Sequence, residues 1–381
     1  MSALANFGLA ILLGLTNHFL PGLIGTTSEA QFIGEVAFPL LQLYIVYKNP
    51  VSSLAYVLSR WRGVNNKVYG SIDLAVFWIN WIVVVYLWVI TPANEKLNRW
   101  ARNKWLWEFK KDPLMRFAAE EKKWKWPNEI AVITGASNGI GAFVAQGLAA
   151  KGMKVAVLDV QPPAEEVLKD GPNITYFECD ITSPEAVCHS ADMVRSTLGQ
   201  PSILINNAGV GNQATILDLP PAKVQNTFNV NVVSHWYTIQ AFLPDMIAKK
   251  KGHVVTVAST MSYVGNPTTV DYNATKAALL GLHDGLNLEL KHVYRCPEIK
   301  TTIFHPHWTK TRLIDPFVPA LQASGAQIME PQQVADAILK QVFSGQSGQV
   351  FVPEEHSCTM PILRALPTWL YEWSRDRALG A

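Results

Sequence analysis

The chain of 381 residues predicts an α/β fold built on a doubly wound parallel sheet, with an N-terminal hydrophobic membrane-anchoring region in front of it. The run from Ile130 to Ile133 is apolar without alternation, which is typical of a parallel strand buried on both faces. Short apolar runs then alternate with longer helical stretches, a pattern that indicates a parallel sheet with helical crossovers. Right-handed crossovers gather the strand ends into one ligand crevice. We predict strands at 130–133, 154–158, 174–178, 202–206, 253–258, 300–304 and 349–352.

The first quarter of the chain is unusually apolar. Three mostly apolar segments, at 3–24, 32–47 and 72–90, crowd into its first 92 residues. The third segment approaches the roughly 20 residues that cross a bilayer, and aromatic and cationic residues lie near its end. Buried helices of a soluble domain are the alternative. We predict that residues 1–92 are a hydrophobic membrane region.

Three further regions follow. Residues 93–127 mix Trp, Lys, Arg and Glu, and we predict either a solvated linker helix or an amphipathic segment on the membrane surface. Residues 128–352 form the predicted catalytic domain, which begins after Pro127. Residues 353–381 are predicted as an amphipathic tail that either docks at the same membrane or packs on the catalytic domain.

Composition excludes some classes of function. The formal net charge is +2, which gives no indication of a nucleic-acid partner. The 4 cysteines are scattered without metal-ligand spacing, which is typical of free thiols in a reducing compartment.

The glycine-rich turn after the first strand predicts a dinucleotide site. Gly135, Gly139 and Gly141 permit a tight turn, allow backbone amides to approach a pyrophosphate, and let the next helix pack closely on the sheet. Asp159 ends the second strand about twenty residues later, where a carboxylate can accept both hydroxyls of an adenosine ribose and repel a 2′-phosphate. We therefore predict NAD as the cofactor, with NADP as the alternative.

A tyrosine and a lysine supply the candidate chemistry. Tyr272 and Lys276 are four residues apart, on one face of a predicted helix, and Ser259 lies at the exit of the preceding strand. A Tyr and Lys at this spacing are common by chance, so the pair carries weight only together with the other motifs.

Together these motifs resemble the short-chain dehydrogenase/reductase family over about residues 129–352. The hydrophobic N-terminus further resembles the family's membrane-anchored retinol and hydroxysteroid dehydrogenase branch. The resemblance rests on Thr134-Gly-Ala-Ser-Asn-Gly-Ile-Gly141, Asp180, Asn206-Asn-Ala-Gly209, Asn231, Ser259, and Tyr272 with Lys276. It implies a Rossmann fold whose cofactor contacts are Thr134, Gly135, Ser137, Asn138, Gly139, Ile140, Gly141, Asp159, Asp180, Asn207, Ala208, Gly209, Tyr272, Lys276 and Thr311.

The predicted mechanism is general-base catalysis by a tyrosine. A phenol with a pKa near 10 is a poor base at neutral pH, so the Lys276 ammonium and the oxidised nicotinamide must stabilise the phenolate of Tyr272. Ser259 would hold the substrate oxygen by a hydrogen bond. The resemblance adds Asn231 as the anchor of a water that relays protons through Lys276. The predicted catalytic residues are Ser259, Tyr272, Lys276 and Asn231.

One departure from the family pattern follows the sixth strand. The family usually has Pro-Gly there, whereas this chain has Pro306-His307. In the family the second residue lines the nicotinamide end of the cleft, so we expect His307 to alter the local backbone and the shape of the substrate site. His305 and His307 suggest a metal, but no third ligand lies at useful spacing, and we predict none.

We expect a membrane-associated oxidoreductase that transfers a hydride from a lipophilic secondary or allylic alcohol, such as a steroid, retinoid or terpenoid, to NAD. One alternative is an NADPH-dependent carbonyl reductase that uses the same site in reverse. Another is a non-enzymatic membrane scaffold or cofactor sensor, against which the intact catalytic set argues. Membrane lipid is an expected partner, and a homodimer is left open.

The expected location is the endoplasmic reticulum or a lipid droplet, with the catalytic domain facing the cytosol. The triplet Asn273-Ala-Thr275 is a glycosylation acceptor between the predicted catalytic tyrosine and lysine, where a glycan would block the site. A cytosolic catalytic domain avoids that modification.

Overall fold

The computed structural model describes residues 124–378, except 166, 168–172 and 324. The predicted membrane region 1–92 and almost all of the segment 93–127 lie outside the described residues. In the part that is described, no helix combines the length and the apolar character needed to cross a bilayer.

Each of the seven predicted strands is present, and all seven join one sheet. The strands are β1 Ile130–Thr134, β2 Lys154–Asp159, β3 Ile174–Glu178, β4 Ile203–Asn206, β5 His253–Val257, β6 Lys300–Pro306 and β7 Gly348–Val352. Their spatial order is β3-β2-β1-β4-β5-β6-β7, and every neighbouring pair is parallel. The predicted parallel sheet is therefore confirmed, with strand ends that differ from the predictions by at most two residues.

The central strands are buried because helices cover both faces of the sheet. Every residue of β1, β4, β5 and β6 is buried. This explains why their sequences are mostly apolar or β-branched and do not alternate, with buried polar exceptions such as Lys300 and His305 of β6.

Nine helices are present in the described residues, and five of them pack on the two faces of the sheet. They are α1 Gly139–Ala149, α2 Pro184–Thr197, α3 Pro221–Phe228, α4 Ser234–Lys249, α5 Val270–Leu288, α6 Val318–Ala323, α7 Pro331–Phe343, α8 His356–Ala365 and α9 Thr368–Ala378. One core cluster joins the sheet to α1 and α7, and the other joins it to α2, α4 and α5. This three-layer arrangement confirms the doubly wound fold.

The sheet order reverses at β1, which pairs with β2 on one side and β4 on the other. In open α/β sheets, ligands bind in the crevice outside the carboxyl ends of the strands at such a reversal. The fold therefore brings the loops after β1, β2 and β4 to one place, and those after β5 and β6 continue the same edge.

The predicted C-terminal tail consists of α8 and α9. Helix α8 contacts β7, so this part of the tail packs on the catalytic domain. The tail also presents exposed apolar side chains, with Ile362 50%, Trp369 72% and Trp373 56% exposed.

Candidate active site

The glycine-rich turn lies directly against the end of β4. Gly135 has φ +65°, and a Cβ atom there would lie 2.7 Å from the Cα of Ala208. A Cβ atom on Gly141 would lie 2.6 Å from Nδ2 of Asn207. Both approaches are closer than side-chain carbon atoms tolerate, so these two positions require glycine.

Thr134 and Asn207 fasten this turn to the end of β4. The Thr134 hydroxyl accepts the backbone amides of Asn207 and Ala208, each at 3.1 Å. Asn207 Nδ2 donates to the carbonyls of Thr134 at 3.1 Å and Gly135 at 2.9 Å. The Thr134 hydroxyl thus joins the end of β1 to the residues after β4, and its predicted contact with the cofactor stays a prediction.

Asp159 lies at the end of β2, as predicted. Its carboxylate accepts the backbone amide of Ser137 at 3.0 Å and that of Gln161 at 3.3 Å. The Ser137 hydroxyl donates to the Gln161 carbonyl. A carboxylate offers about four acceptor positions, so Asp159 retains acceptor capacity for ribose hydroxyls.

A cavity of about 780 Å³ opens along the carboxyl edge of the sheet. Its volume lies within the range of about 300–1,000 Å³ that is typical of ligand sites. The predicted residues that line it are Gly135, Asn138, Gly139, Ile140, Asp159, Asp180, Asn207, Ala208, Gly209, Ser259, Tyr272, Lys276 and Thr311. Four predicted site residues do not line the cavity: Thr134, Ser137, Gly141 and Asn231.

Tyr272 and Lys276 project from successive turns of α5, as their spacing predicts. The Lys276 Nζ atom lies 5.5 Å from the centroid of the Tyr272 ring. The same ammonium donates to the Val257 carbonyl at 2.9 Å, and Lys276 is 3% exposed. The ammonium is thus held between the end of β5 and the phenol.

Burial shifts the pKa of both groups. It raises the pKa of Tyr272 from 10.0 to about 12, while a hydrogen bond with Ser259 opposes the rise. It lowers the pKa of Lys276 from 10.5 to about 8. In each case the uncharged form is favoured, because water no longer solvates the charged form.

Ser259 follows β5 and begins a short 3-10 turn, Thr260–Ser262. Its hydroxyl accepts the Met261 amide at 3.2 Å and donates to the Pro306 carbonyl at 3.4 Å. The second bond is long and therefore weak, so this donor can turn toward a substrate oxygen at small cost.

Asn231 lies in a π-helical segment, Asn229–Val233, between α3 and α4. Its side chain accepts the Val210 amide and donates to the Val210 carbonyl, both at 2.8 Å, and also donates to the Thr275 hydroxyl at 3.0 Å. These bonds join the loop after β4 to the helix that carries Lys276. The water-anchoring role implied by the resemblance stays a prediction.

The buried carboxylate of Asp271, beside Tyr272, was not identified from the sequence. Asp271 accepts hydrogen bonds from Asn212 Nδ2 and the Thr227 hydroxyl, both at 2.8 Å. These bonds tie the first turn of α5 to α3 and to the cavity wall. An acidic residue in the first turn of a helix is common, so its position alone gave no signal.

One wall of the cavity is apolar and aromatic. The rings of Trp308 and Phe317 pack at a tilt with their centroids 5.8 Å apart, and both line the cavity together with Leu313, Ile314 and Met360. These residues come from the segment after β6 and from α8, which sequence alone did not bring together. An apolar wall of this kind favours a lipophilic ligand.

His307 occupies the predicted position on this wall. Its Nδ1 atom lies 3.1 Å from the Thr260 hydroxyl oxygen, and its ring centroid lies 4.8 Å from that of His356. Burial and the neighbouring His356 lower the pKa of His307 to about 4, so the ring is neutral near pH 7. Among the described residues, no cluster of three His, Cys, Asp or Glu side chains could hold a metal ion.

Comparison with known proteins agrees with this geometry. The profile of the family described as short chain dehydrogenase matches residues 129–320. Dehydrogenase RED2 of Cochliobolus heterostrophus is 42% identical over 231 residues, which are 57% of this chain and 85% of that protein. Estradiol 17-beta-dehydrogenase 11 of Homo sapiens is 31% identical over 244 residues, which are 63% of this chain and 79% of that protein.

A solved structure shares the fold. The crystal structure of 3-ketoacyl-(acyl-carrier-protein) reductase from Brucella melitensis, complexed with NADH, has a TM-score of 0.52 at 25% identity and covers 58% of this chain and 96% of that chain. The matched profile extends from β1 past Lys276 and therefore includes the glycine-rich turn and the tyrosine and lysine pair. The chain belongs to the short chain dehydrogenase family and is an NAD(P)-dependent dehydrogenase.

Proposed function

We propose that this dehydrogenase oxidises a lipophilic secondary or allylic alcohol, such as a steroid, retinoid or terpenoid, with NAD, giving the ketone or aldehyde. The observation that carries the proposal is that Tyr272, Lys276 and Ser259 line one cavity together with the apolar side chains of Trp308, Phe317 and Met360. A polar reacting end and an apolar body are the two features that such a substrate presents.

The residues of the cavity fit a dinucleotide. The turn at Gly135 and Gly139 would hold the pyrophosphate at the start of α1, Asp159 the adenosine ribose, and Asp180 the adenine end. Asn207 to Gly209 and Thr311 would line the nicotinamide half. When bound, the oxidised nicotinamide supplies the acceptor for the hydride.

Side chains of this protein carry out the transfer of the alcohol proton. Tyr272 takes the hydroxyl proton of the alcohol, and Ser259 donates a hydrogen bond to the same oxygen. The Lys276 ammonium favours the phenolate by its charge, since an opposite charge within about 6 Å lowers the pKa of an acid. Asn231 and the Val257 carbonyl keep Lys276 and its helix in place.

The substrate class follows from the wall made by Trp308, Phe317 and Met360. One relative is named for estradiol, a lipophilic secondary alcohol, which supports the same class here. A panel of steroid, retinoid, terpenoid and fatty alcohols, assayed with membranes that contain the full chain and scored by NADH fluorescence, tests the proposal. Turnover of small polar alcohols alone would contradict it.

NAD is the proposed cofactor because Asp159 would repel a 2′-phosphate. The cationic side chains that line the cavity are Lys276 and Arg312, apart from its histidine. Arg312 follows Thr311, whose Cγ2 atom lies 3.5 Å from the Cβ position of Gly139 in the glycine-rich turn. Asp159 is the charged side chain at the end of β2, and we therefore expect kcat/KM to be higher for NAD than for NADP.

An NADPH-dependent carbonyl reductase is the second candidate. With a pKa of about 12, Tyr272 is protonated at neutral pH, which is the form needed to donate a proton to a carbonyl oxygen. A clear preference for NADPH in the same assay would favour this direction.

We further propose that the enzyme is held on the endoplasmic reticulum or a lipid droplet, facing the cytosol. The apolar segments at 1–92 and the exposed Trp369 and Trp373 of α9 support attachment. Asn273 is only 7% exposed, so a glycan there is incompatible with the fold, which supports the cytosolic side. A homodimer also stays a proposal, to be tested by light scattering.

Two measurements test the location. Carbonate extraction should leave the full chain in the membrane pellet, and protease treatment of intact microsomes should digest the catalytic domain. Release into the carbonate supernatant would contradict attachment, and a protected catalytic domain would contradict the orientation.

A further inference from the structure

We propose that His305 is a positioning residue for Ser259. Its ring N–H holds the Ser259 carbonyl and thereby fixes the direction of the serine hydroxyl in the cavity. The inference rests on the proposed function, because His305 acts only through the role assigned to Ser259.

His305 lies in β6, beneath the turn that carries Ser259, and it is 0% exposed. Its Nδ1 atom lies 3.0 Å from the Ser259 carbonyl oxygen, and its Nε2 atom lies 3.2 Å from Nε2 of Gln349. The ring stacks on Phe351, its partner in β7, with centroids 4.6 Å apart. The imidazole is thus held by contacts on its face and at both nitrogens.

The partners determine the tautomer. A carbonyl oxygen can only accept, so Nδ1 of His305 must carry the hydrogen that binds Ser259. Nε2 then offers a lone pair, and the Gln349 amide is a donor that matches it. The second hydrogen of that amide binds the Tyr263 hydroxyl. The Gln349 amide therefore donates to both Tyr263 and His305, and His305 in turn donates to the Ser259 carbonyl.

The carbonyl that His305 binds and the hydroxyl that must point at the substrate belong to the same residue, Ser259. Ser259 has an extended backbone, with φ −167°, and caps the 3-10 turn that follows. The next residue, Thr260, is contacted by His307, which directly follows β6, with 3.1 Å between the Thr260 hydroxyl oxygen and His307 Nδ1. The two histidines that flank Pro306 therefore contact two consecutive residues, Ser259 and Thr260.

This arrangement explains the His305-Pro306-His307 sequence without a metal. Both ring nitrogens of His305 are used in hydrogen bonds, so neither lone pair is open to a cation. A loss of the bond to Ser259 would let the hydroxyl move, and misplacement by about 1 Å can cost on the order of 100-fold in rate.

The test compares two amides at position 305. In His305→Asn the side-chain N–H takes the place of Nδ1 and can still bind the Ser259 carbonyl, whereas in His305→Gln it takes the place of Nε2. With NAD and 17β-estradiol, or the panel alcohol that is turned over fastest, we expect His305→Asn to keep kcat within about threefold and His305→Gln to lose about twentyfold or more. The dissociation constant of NADH should stay within about twofold in both.

His253 supplies a matched control. It is also 0% exposed, lies in the neighbouring strand β5, and binds Thr302 at the opposite end of the sheet, with 2.8 Å between Nε2 and Oγ1. His253→Gln should lower the melting temperature without lowering kcat, which shows that an amide buried in this sheet does not itself impair turnover.

Equal kcat values for His305→Asn and His305→Gln, with Ser259→Ala inactive, would overturn the inference and leave the role of Ser259 intact. Wild-type kcat in Ser259→Ala would overturn the role of Ser259, and the inference with it. In the expected case the two amides differ in the wild-type background, and in the Ser259→Ala background they give the same residual rate.

Discussion

Tyr272 and Lys276 are held in a place that favours their neutral forms. Burial raises the pKa of the phenol to about 12 and lowers that of the ammonium to about 8. An efficient base near neutral pH needs a pKa much closer to 7. At pH 7 the phenol of Tyr272 is therefore protonated, and positive charge beside it, from Lys276 and from the oxidised nicotinamide, lowers its pKa toward the range of an efficient base.

We expect Tyr272→Phe to reduce kcat/KM by at least about 100-fold, because it removes the group that moves the proton and little else. The cavity shape is retained, so the melting temperature and NADH affinity should change little. Steady-state kinetics with the best alcohol of the panel checks this. A variant that kept even a tenth of the wild-type rate would refute the assigned mechanism.

Lys276→Met should shift the pH profile of alcohol oxidation. Loss of a nearby cation raises the pKa of the phenol, so a higher pH is needed to reach the same fraction of phenolate. We expect kcat/KM at pH 7 to fall about 10-fold to 100-fold and to recover partly toward pH 10. Profiles of both proteins between about pH 6 and 10 test it, and superimposable profiles would show that Lys276 exerts no electrostatic effect on Tyr272.

At the scale of elements, the central strands were predictable because β1, β4 and β5 are buried on both faces and are mostly apolar or β-branched. Strand β6 continues to Pro306, two residues beyond the predicted end, since His305 and Pro306 pair with Phe351 and Val352 of β7. That extension depends on a partner strand far away in sequence. Because His305 is polar, the local sequence gave no indication that the strand continues through it.

The candidate site was predictable where a motif lies within one element and its loop. Tyr272 and Lys276 lie on one helix, and Gly135 and Gly141 in one turn. By contrast, Thr134 faces the amides after β4, and its role depends on the pairing of β1 with β4. The apolar wall combines Phe317 with residues of α8, which only the folded chain brings together.

The start of α1 gives a prediction about one element. Gly141→Ala would place a methyl group 2.6 Å from Asn207 Nδ2 and 2.7 Å from the Gly135 carbonyl oxygen. We expect a loss of about 1–3 kcal/mol in the free energy of unfolding, as is typical of overpacking, together with weaker NADH binding. Urea denaturation and fluorescence titration measure the two effects.

Gly281→Ala in α5 is the matched control for this variant. Nothing lies within 4 Å of a Cβ atom at Gly281, so alanine should stabilise the helix by about 0.5–1 kcal/mol. If both alanine variants had the same stability, close packing of the turn on β4 would not explain the glycine.

At the scale of the whole molecule, a buried histidine links stability to pH. His235 in α4 is 2% exposed, and burial, with a smaller effect of the Lys276 cation, lowers its pKa from 6.5 to about 3. Between these values the unfolded chain binds a proton that the folded chain cannot. The free energy of unfolding is therefore unaffected by this group above about pH 6.5 and falls as the pH drops toward 3.

We expect His235 to cost on the order of 2 kcal/mol of stability at pH 5 relative to pH 7.5. His235→Leu removes the titrating group, so its stability should depend less on pH over this interval, even if it is lower at pH 7.5. Thermal or urea unfolding of both full chains in detergent at the two pH values checks this. Equal losses in both proteins would assign the acid sensitivity to other groups.

The residues that line the cavity fall into two groups along the chain. Its lining begins with Gly135 and continues to Val230 for the half suited to a nucleotide, and it then runs from Val257 to Met360 for the half that contains Ser259, Tyr272 and the aromatic wall. A single crossover between genes of two relatives, placed in the helix α4 that separates these halves, would exchange the aromatic wall together with Ser259, Tyr272, Lys276 and Thr311. It would keep the glycine-rich turn, Asp159 and Asp180, so recombination of this kind would vary the alcohol site and leave the proposed adenosine site as it was.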